Sequence, residues 1–391
     1  MNIVTIVGAR PQFIKVTLVG KALRKNGHED FVIHTGQHYD YGMSQAFFDE
    51  LQIPPPNINL DIGSGLHGWQ TGHMLIRLEK FIGEQKPDCV IVYGDTNTTL
   101  AGALAASKLY VPVAHIEAGL RSYNKSMPEE QNRIVTDHLS SFLFCPTEVA
   151  VNNLVREGFS IKNHKGKPDT NSPAVIRVGD VMYDCALFYS KRAEKSTDLL
   201  RQLDLIDNRN KIIPFILCTI HRAENTDSIT RLCSIFAALN RLNQKIKIVL
   251  PLHPRTQRFI NQNKMVHKLT QPLTIIKPVS YLEMLLLENH CTLVCTDSGG
   301  VQKEAYFFKK PCITMRDQTE WVETVDAGWN RLTGADSDQI ISACELAMSD
   351  PMNKKRQTPF LNLSSQYEHL YGNGNAGELI VDYLSDMFKN N

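Results

Sequence analysis

Short apolar runs recur along the chain, each followed by a polar, often Gly-containing segment and then by a longer stretch whose apolar residues fall three and four apart. The first run is NIVTIV (2–7), then the turn GARP, in which Gly8 permits the reversal and Pro11 suits a first helical position that needs no N–H. Phe13, Ile14, Leu18, Val19, Ala22 and Leu23 form the apolar stripe of the helix that follows, and Gly27 ends it. The same reading places strands at 31–35, 89–93, 111–114, 142–145 and 175–181. Helices fall at 68–85, from Thr96–Thr99 to Leu109, at 129–140, and from a Thr147 cap to Gly158. Residues 54–67 and 160–174 read as loops, and 183–213 as a helix with a charged connection. The rhythm then restarts with strands at 214–219, 247–252, 273–276, 292–296 and 312–315. Residues 351–375 are irregular, and 376–388 form an amphipathic helix. Such alternation predicts doubly wound parallel sheets, and 391 residues exceed one ordinary core, so two domains are expected with a hinge near 180–210.

Polar residues cluster where the strands end, which is where ligands sit in an open parallel sheet. Asp95 follows the strand 89–93, His115 and Glu117 follow 111–114, and Arg121 comes after a Gly-containing turn. Pro128 opens a helix with Glu129 and Glu130 in its first turn. Three carboxylates, counting one of Glu129 and Glu130, with a His and an Arg on one rim are acid–base equipment beyond what a structural loop needs. Arg10 and Lys15 lie at a helix N-terminus and read equally as an anion site or as surface charges. In the second half His221, Arg222, Glu224 and Asn225 follow one strand, and His253 and Arg255 the next. In TDSGGVQKEA (296–305) two glycines would let backbone N–H groups and the Ser298 hydroxyl face a phosphate, with Glu304 one turn on as an acceptor for ribose hydroxyls; the alternative is a tight strand–helix turn. Neither GxGxxG nor a Walker A sequence is present.

Composition narrows the classes. A formal charge of +1 and the absence of long Lys/Arg runs argue against nucleic acid, and no apolar stretch approaches the ~18 residues of a membrane span. The N-terminus reads as a strand and not as a signal peptide. Nine cysteines lie scattered without CxxC or zinc spacing, which fits buried small side chains in a reducing cytoplasm and predicts no metal.

The set GARPQFIK (8–15), HTGQH (34–38), GDTNTT (94–99), HIEAGLR (115–121), PEEQNR (128–133), HRAEN (221–225), HPR (253–255) and TDSGGVQKEA (296–305) resembles the non-hydrolysing UDP-N-acetylglucosamine 2-epimerase family, in order over nearly the whole chain. The resemblance implies an α/β fold of two Rossmann-like domains facing across a cleft, the glycosyltransferase-B arrangement, with 1–182 completed by 376–391 as the first and 183–375 as the second. It implies cofactor-independent inversion at C2 of a UDP-sugar, by elimination of UDP to a glycal and re-addition. By motif position Asp95, Glu117 and Glu129 are the acid–base residues, with Glu130 the alternative to Glu129. His221, Arg10 and Lys15 would answer the diphosphate with Ser298, Gly299 and Gly300. Glu304 would hold the ribose, the backbone near Val279–Met284 the uracil, and Arg316 the cleft. His115, Arg121, Arg133 and His253 would line the substrate site. A cytoplasmic homodimer is usual for such proteins. Two departures stand out: YDYGMS lacks the Arg-Glu-Met run of substrate-activated members, and Trp321 stands where the common pattern has Arg. GARPQFIK together with TEWVE looks most like the subgroup acting on UDP-2,3-diacetamido-2,3-dideoxy-glucuronate for O-antigen or capsule sugars. UDP-N-acetylglucosamine as substrate, or a glycosyltransferase of the same fold, are the alternatives.

Overall fold

A computed structural model describes residues 1–37, 48–161, 167–349, 360 and 369–389. The YDYGMS loop and most of 351–375 lie outside the described residues, as do 162–166. The chain divides into two compact units, Met1–Cys185 with His369–Asn391, and Ala186–Glu368.

The first unit carries strands β1 (Asn2–Val7), β2 (Glu29–His34), β3 (Ile58–Asn59), β4 (Cys89–Tyr93), β5 (Val113–Ile116), β6 (Phe142–Cys145) and β7 (Ala174–Arg177). They form one sheet in the order β3-β2-β1-β4-β5-β6-β7, and every pair is parallel. β4, β5 and β6 are buried along their whole length, as strands covered by helices on both faces must be. The helix Asn97–Lys108 is rich in Ala because it lies very close to the sheet; a Cβ on Gly102 would come within 3.0 Å of both Ile6 and Val92. Thr96 caps that helix by accepting from the Thr99 N–H. The last helix, Ala376–Lys389, packs on the first, Arg10–Lys25.

Four elements differ from the sequence reading; one, the strand Asn330–Leu332, has no counterpart among the expected strands of the second half. The strand expected at 111–114 is Val113–Ile116, in register with Val90–Tyr93, so His115 lies inside the strand and not at its rim. The strand expected at 175–181 ends at Arg177, because Gly179, at φ +94°, turns the chain against the backbone of Tyr371 and Gly372. A two-residue strand, β3, lies within the segment read as loop.

The second unit holds β8 (Phe215–Thr219), β9 (Lys247–Pro251), β10 (Thr274–Ile276), β11 (Leu293–Thr296), β12 (Cys312–Thr314) and β13 (Asn330–Leu332). Their order is β10-β9-β8-β11-β12-β13, again wholly parallel. Apolar clusters cover both faces, one around Phe236, Leu239 and Ile248, the other around Leu217, Leu287 and Val294. Both sheets are Rossmann-like, with the order reversing between β1 and β4 in the first and between β8 and β11 in the second. These reversals are the points where ligands bind in open α/β sheets.

Candidate active site

At the first reversal a buried side chain joins the two turns. The Gln12 carbonyl accepts from the N–H groups of Gly8 (2.8 Å) and Ala9 (2.9 Å), while its amide donates to the Tyr93 carbonyl (2.7 Å) and to Thr96 Oγ1 and Thr99 Oγ1 (both 3.1 Å). Asp95 follows at the mouth of β4, its carboxylate 2.6 Å from Arg133 Nη2 and about a third exposed. Glu117 stands beside it, since a Cβ on Gly94 would lie 3.3 Å from Glu117 Oε2. Its carboxylate pairs with the buried Lys15, and its backbone holds φ +76°. A non-glycine residue there costs about 1–2 kcal/mol, strain of the kind that collects at functional sites.

The other charged residues of this rim divide into those that face outward and those that hold the frame. His115 is fully buried; its Nε2 donates to the Gly94 carbonyl (2.7 Å) and its Nδ1 lies 2.7 Å from Asp137 Oδ1. Asp137 Oδ2 accepts from the Gly119 N–H (3.1 Å) and from Arg121 (2.8 Å), whose side chain is only 1% exposed and also meets Glu157. Burial pushes the Asp137 carboxyl up, but His115 and Arg121 outweigh it and hold it below the usual carboxylate range. His115 and Arg121 were expected to touch substrate; both are spent on this internal network. The network fixes the Gly94 turn and so aims Asp95 and Glu117.

Burial separates Glu129 from Glu130. Glu130 accepts from the N–H groups of Ser122 and Tyr123 (2.9 Å each) and pairs with Arg133 at 2.8 Å. Burial acts to raise its pKa, yet these donors together keep it low. Glu129, one residue earlier in the same first turn, is exposed. Glu130 therefore closes the 122–123 loop, and Glu129 is the carboxylate open to a ligand. Arg10 is exposed at the start of its helix, whereas Lys15 is buried.

At the second reversal the bridging side chain is Asp297, fully buried at the end of β11. Its oxygens accept from the N–H of His221 (3.0 Å) and of Arg222 (3.0 Å) and from the Asn225 amide (3.1 Å). The His221 ring is 34% exposed, and its centroid lies 5.5 Å from that of the exposed His253. Burial, aided by Arg222, His253 and Arg316, lowers the His221 pKa despite Asp297 nearby. His253 caps its own helix by accepting from the Arg255 N–H at 3.2 Å.

The helix Gly299–Phe307 begins just past Asp297, with Ser298 as a cap residue that makes no side-chain capping bond. Gly299 and Gly300 are not among the positive-φ residues, so the sequence reading needs amending: Gly299 is a glycine for space, whereas a Cβ on Gly300 would meet only Ser298 Oγ at 4.0 Å. A Cβ on Gly299 would collide with the Glu320 carboxylate and come within 3.3 Å of Trp321 Nε1. Arg316 pairs with Glu320 (2.8 Å) and Glu224 (3.2 Å). Glu304 is buried in the same helix; next to it the fully buried Glu288 is pushed well above the usual carboxylate range by burial and by Glu304. Val279 and Met284 are half-buried against the core. Gln12, Asp137 and Glu320 were not singled out from sequence; each is a polar residue whose only signal is its distant partners.

The chain from 21 to 385 matches the family model described as UDP-N-acetylglucosamine 2-epimerase. It is 49% identical, over 99% of its length and 100% of the relative's, to UDP-2,3-diacetamido-2,3-dideoxy-D-glucuronate 2-epimerase of Pseudomonas aeruginosa. A UDP-N-acetylglucosamine 2-epimerase homolog of Methanococcus maripaludis is 47% identical over 99% of this chain and all of that one. Among solved structures, the UDP-GlcNAc 2-epimerase of Methanocaldococcus jannaschii in complex with UDP-GlcNAc and UDP matches with a TM-score of 0.78 at 43% identity, covering 99% of this chain and 100% of that one.

Proposed function

Because the chain belongs to the UDP-N-acetylglucosamine 2-epimerase family, we propose that it is an isomerase converting UDP-2,3-diacetamido-2,3-dideoxy-D-glucuronate to its D-manno epimer, for O-antigen or capsule sugars. A carboxylate removes the C2 proton, the C–H electron pair becomes the C1–C2 double bond, and the C1–O pair leaves with UDP. The 2-acetamido glycal is then protonated at C2 from the other face as UDP adds back to C1. No redox cofactor is needed, because elimination and re-addition move a proton and the C1–O electron pair and transfer no hydride at any step.

The observation that carries the reading is the pair of carboxylates at Gly94, Asp95 and Glu117, each partly open and each with its own cation, Arg133 or Lys15. Such a reaction needs acid–base groups on both faces of C2. Asp95, Glu117 and Glu129 take that role. Arg10, Lys15 and His221 are assigned to the diphosphate charge, with Ser298, Gly299 and Gly300 at the helix start. Glu304 is assigned to the ribose, the backbone between Val279 and Met284 to the uracil, and Arg316 to the diphosphate end. His115, Arg121 and Glu130 act by positioning.

The test is proton NMR in deuterium oxide with the diacetamido-glucuronate and with UDP-N-acetylglucosamine in separate samples. Deuterium should enter C2 of the diacetamido sugar and its epimer without accumulation of free sugar. Exchange with UDP-N-acetylglucosamine alone would make that the substrate, the reading favoured by the archaeal relatives' names. No exchange with either sugar would overturn the epimerase assignment. The proposal includes a cytoplasmic homodimer; no helix among the described residues is long and apolar enough to cross a membrane. Light scattering should return twice the 44.1 kDa chain mass.

A further inference from the structure

The helix Gly299–Phe307 offers the first N–H groups of nine residues to an anion, and its cap Ser298 does not take them. A carboxylate from the same unit is already there. Glu320 Oε1 lies in the space a Cβ on Gly299 would need. The same carboxylate is held by two arginines, 2.8 Å from Arg316 Nη1 and 3.6 Å from Arg222 Nη2. Arg222 follows His221 directly, and Arg316 follows β12, so both cations belong to the turns around the second reversal. Beside them the Trp321 Nε1 is buried and meets no acceptor among the described residues, and it too lies against Gly299.

We propose that the Glu320 carboxylate is a resident anion at the start of this helix, which a nucleoside diphosphate must displace, so that Arg222 and Arg316 exchange a carboxylate for phosphate. The proposal rests on the reading of this helix start as the UDP site. Three features make the exchange physically reasonable. Glu320 is about a third exposed, so it has water to swing into. Its pair with Arg222 is of the partly exposed kind, which is worth little, and in its pair with the buried Arg316 the carboxylate is the more exposed partner. A diphosphate offers the guanidinium groups more oxygens and more charge than the carboxylate it replaces. The indole N–H at Gly299 would then gain its acceptor. Although burial acts to raise it, Arg316 and Arg222 hold the Glu320 pKa below the usual carboxylate range, so the competitor stays charged at neutral pH. While in place, Glu320 holds Arg222 and shares Arg316 with Glu224, which lies 3.2 Å from the same guanidinium, at a cost in affinity.

The experiment is calorimetric titration of the full chain with UDP, and with uridine as a ligand lacking phosphate, for wild type, Glu320→Gln and Glu320→Ala. The amide of the first variant keeps a hydrogen bond to Arg316 without the charge; the second removes both. UDP should bind about fivefold tighter to both variants, the scale of a partly exposed ion pair, with uridine affinity unchanged. UDP affinity that is equal or weaker in both variants would overturn the proposal. So would uridine tightening as much as UDP, because the effect would then not concern phosphate. If the wild type fails to bind UDP at all, the nucleotide site itself is wrong and this proposal goes with it.

Discussion

The two sheet reversals are built alike and finished differently. In each, one buried side chain ties the turn after one strand to the turn after its neighbour: Gln12 in the first unit, Asp297 in the second. In the first unit Gln12 takes the N–H groups of Gly8 and Ala9, and Thr96 and Thr99 cap the other helix start. Both backbone anion sites there are occupied by the protein's own oxygens, and what remains at the surface is side-chain carboxylate: Asp95, Glu117 and Glu129. In the second unit Asp297 occupies the N–H groups of His221 and Arg222 but leaves the start of Gly299–Phe307 uncapped. One reversal therefore leaves side-chain carboxylates at its rim, and the other a helix start that its cap residue does not close. The same strand order serves either arrangement, depending on which N–H groups the neighbouring side chains consume.

That division can be broken in three ways. The largest effect should come from Asp95→Asn or Glu117→Gln. Each should lower the rate of C2 proton exchange on the order of 10³-fold, read by NMR, while UDP affinity by calorimetry stays within about twofold of wild type. A matching loss of UDP affinity would mean that the two reversals do not divide the work. Next come the bridges themselves. Asp297→Ala removes the acceptor of two part-buried N–H groups and leaves the buried Asn225 amide only its bond to the Met315 carbonyl; it should cost about 3 kcal/mol in denaturant unfolding, against about 2 kcal/mol for Gln12→Ala, whose lost bonds are all between neutral groups. Equal losses would show that the charge of Asp297 adds nothing to its bridging.

The smallest effect tests whether backbone donors alone suffice for a buried carboxylate. Asp184 accepts from the Gly377 N–H at 2.8 Å, and burial, opposed by the Gly377 and Ala376 N–H groups, raises its pKa to about 6. A pKa raised on folding favours the native state at low pH; this contribution is whole below the unfolded value near 3.8 and fades as pH rises through about 6. Asp184→Asn should therefore be more stable than wild type by about 1 kcal/mol at pH 7.5, a gain that vanishes near pH 4. A constant difference across this range would mean that Asp184 is not the titrating group.

Much of the architecture was legible because apolar strands alternate with amphipathic stretches, a signal written locally. Asp95, Glu117 and the Asp-Ser-Gly-Gly turn stand out in the sequence for the same reason, as polar residues after apolar strands, and Glu129 as an acidic residue just after the Pro that opens its helix. What escaped was long-range. Gln12 is an unremarkable polar residue in a helix until its partners, more than eighty positions away, are in place. His115 looked like a rim residue because the strand register, set by pairing with β4, moved it inward by two positions. Gly299 reads in sequence as conformational freedom, while its real constraint is the Glu320 carboxylate pressing on it from twenty-one residues on.

The first unit is assembled from both ends of the chain, with Ala186–Glu368 lying between its two parts in sequence. On the ribosome, the second unit emerges whole before Ala376–Lys389 exists to pack on Arg10–Lys25. The first sheet must wait, partly uncovered, for the last stretch to be synthesised, and a message cut short near its end would yield a finished second unit attached to an incomplete first one.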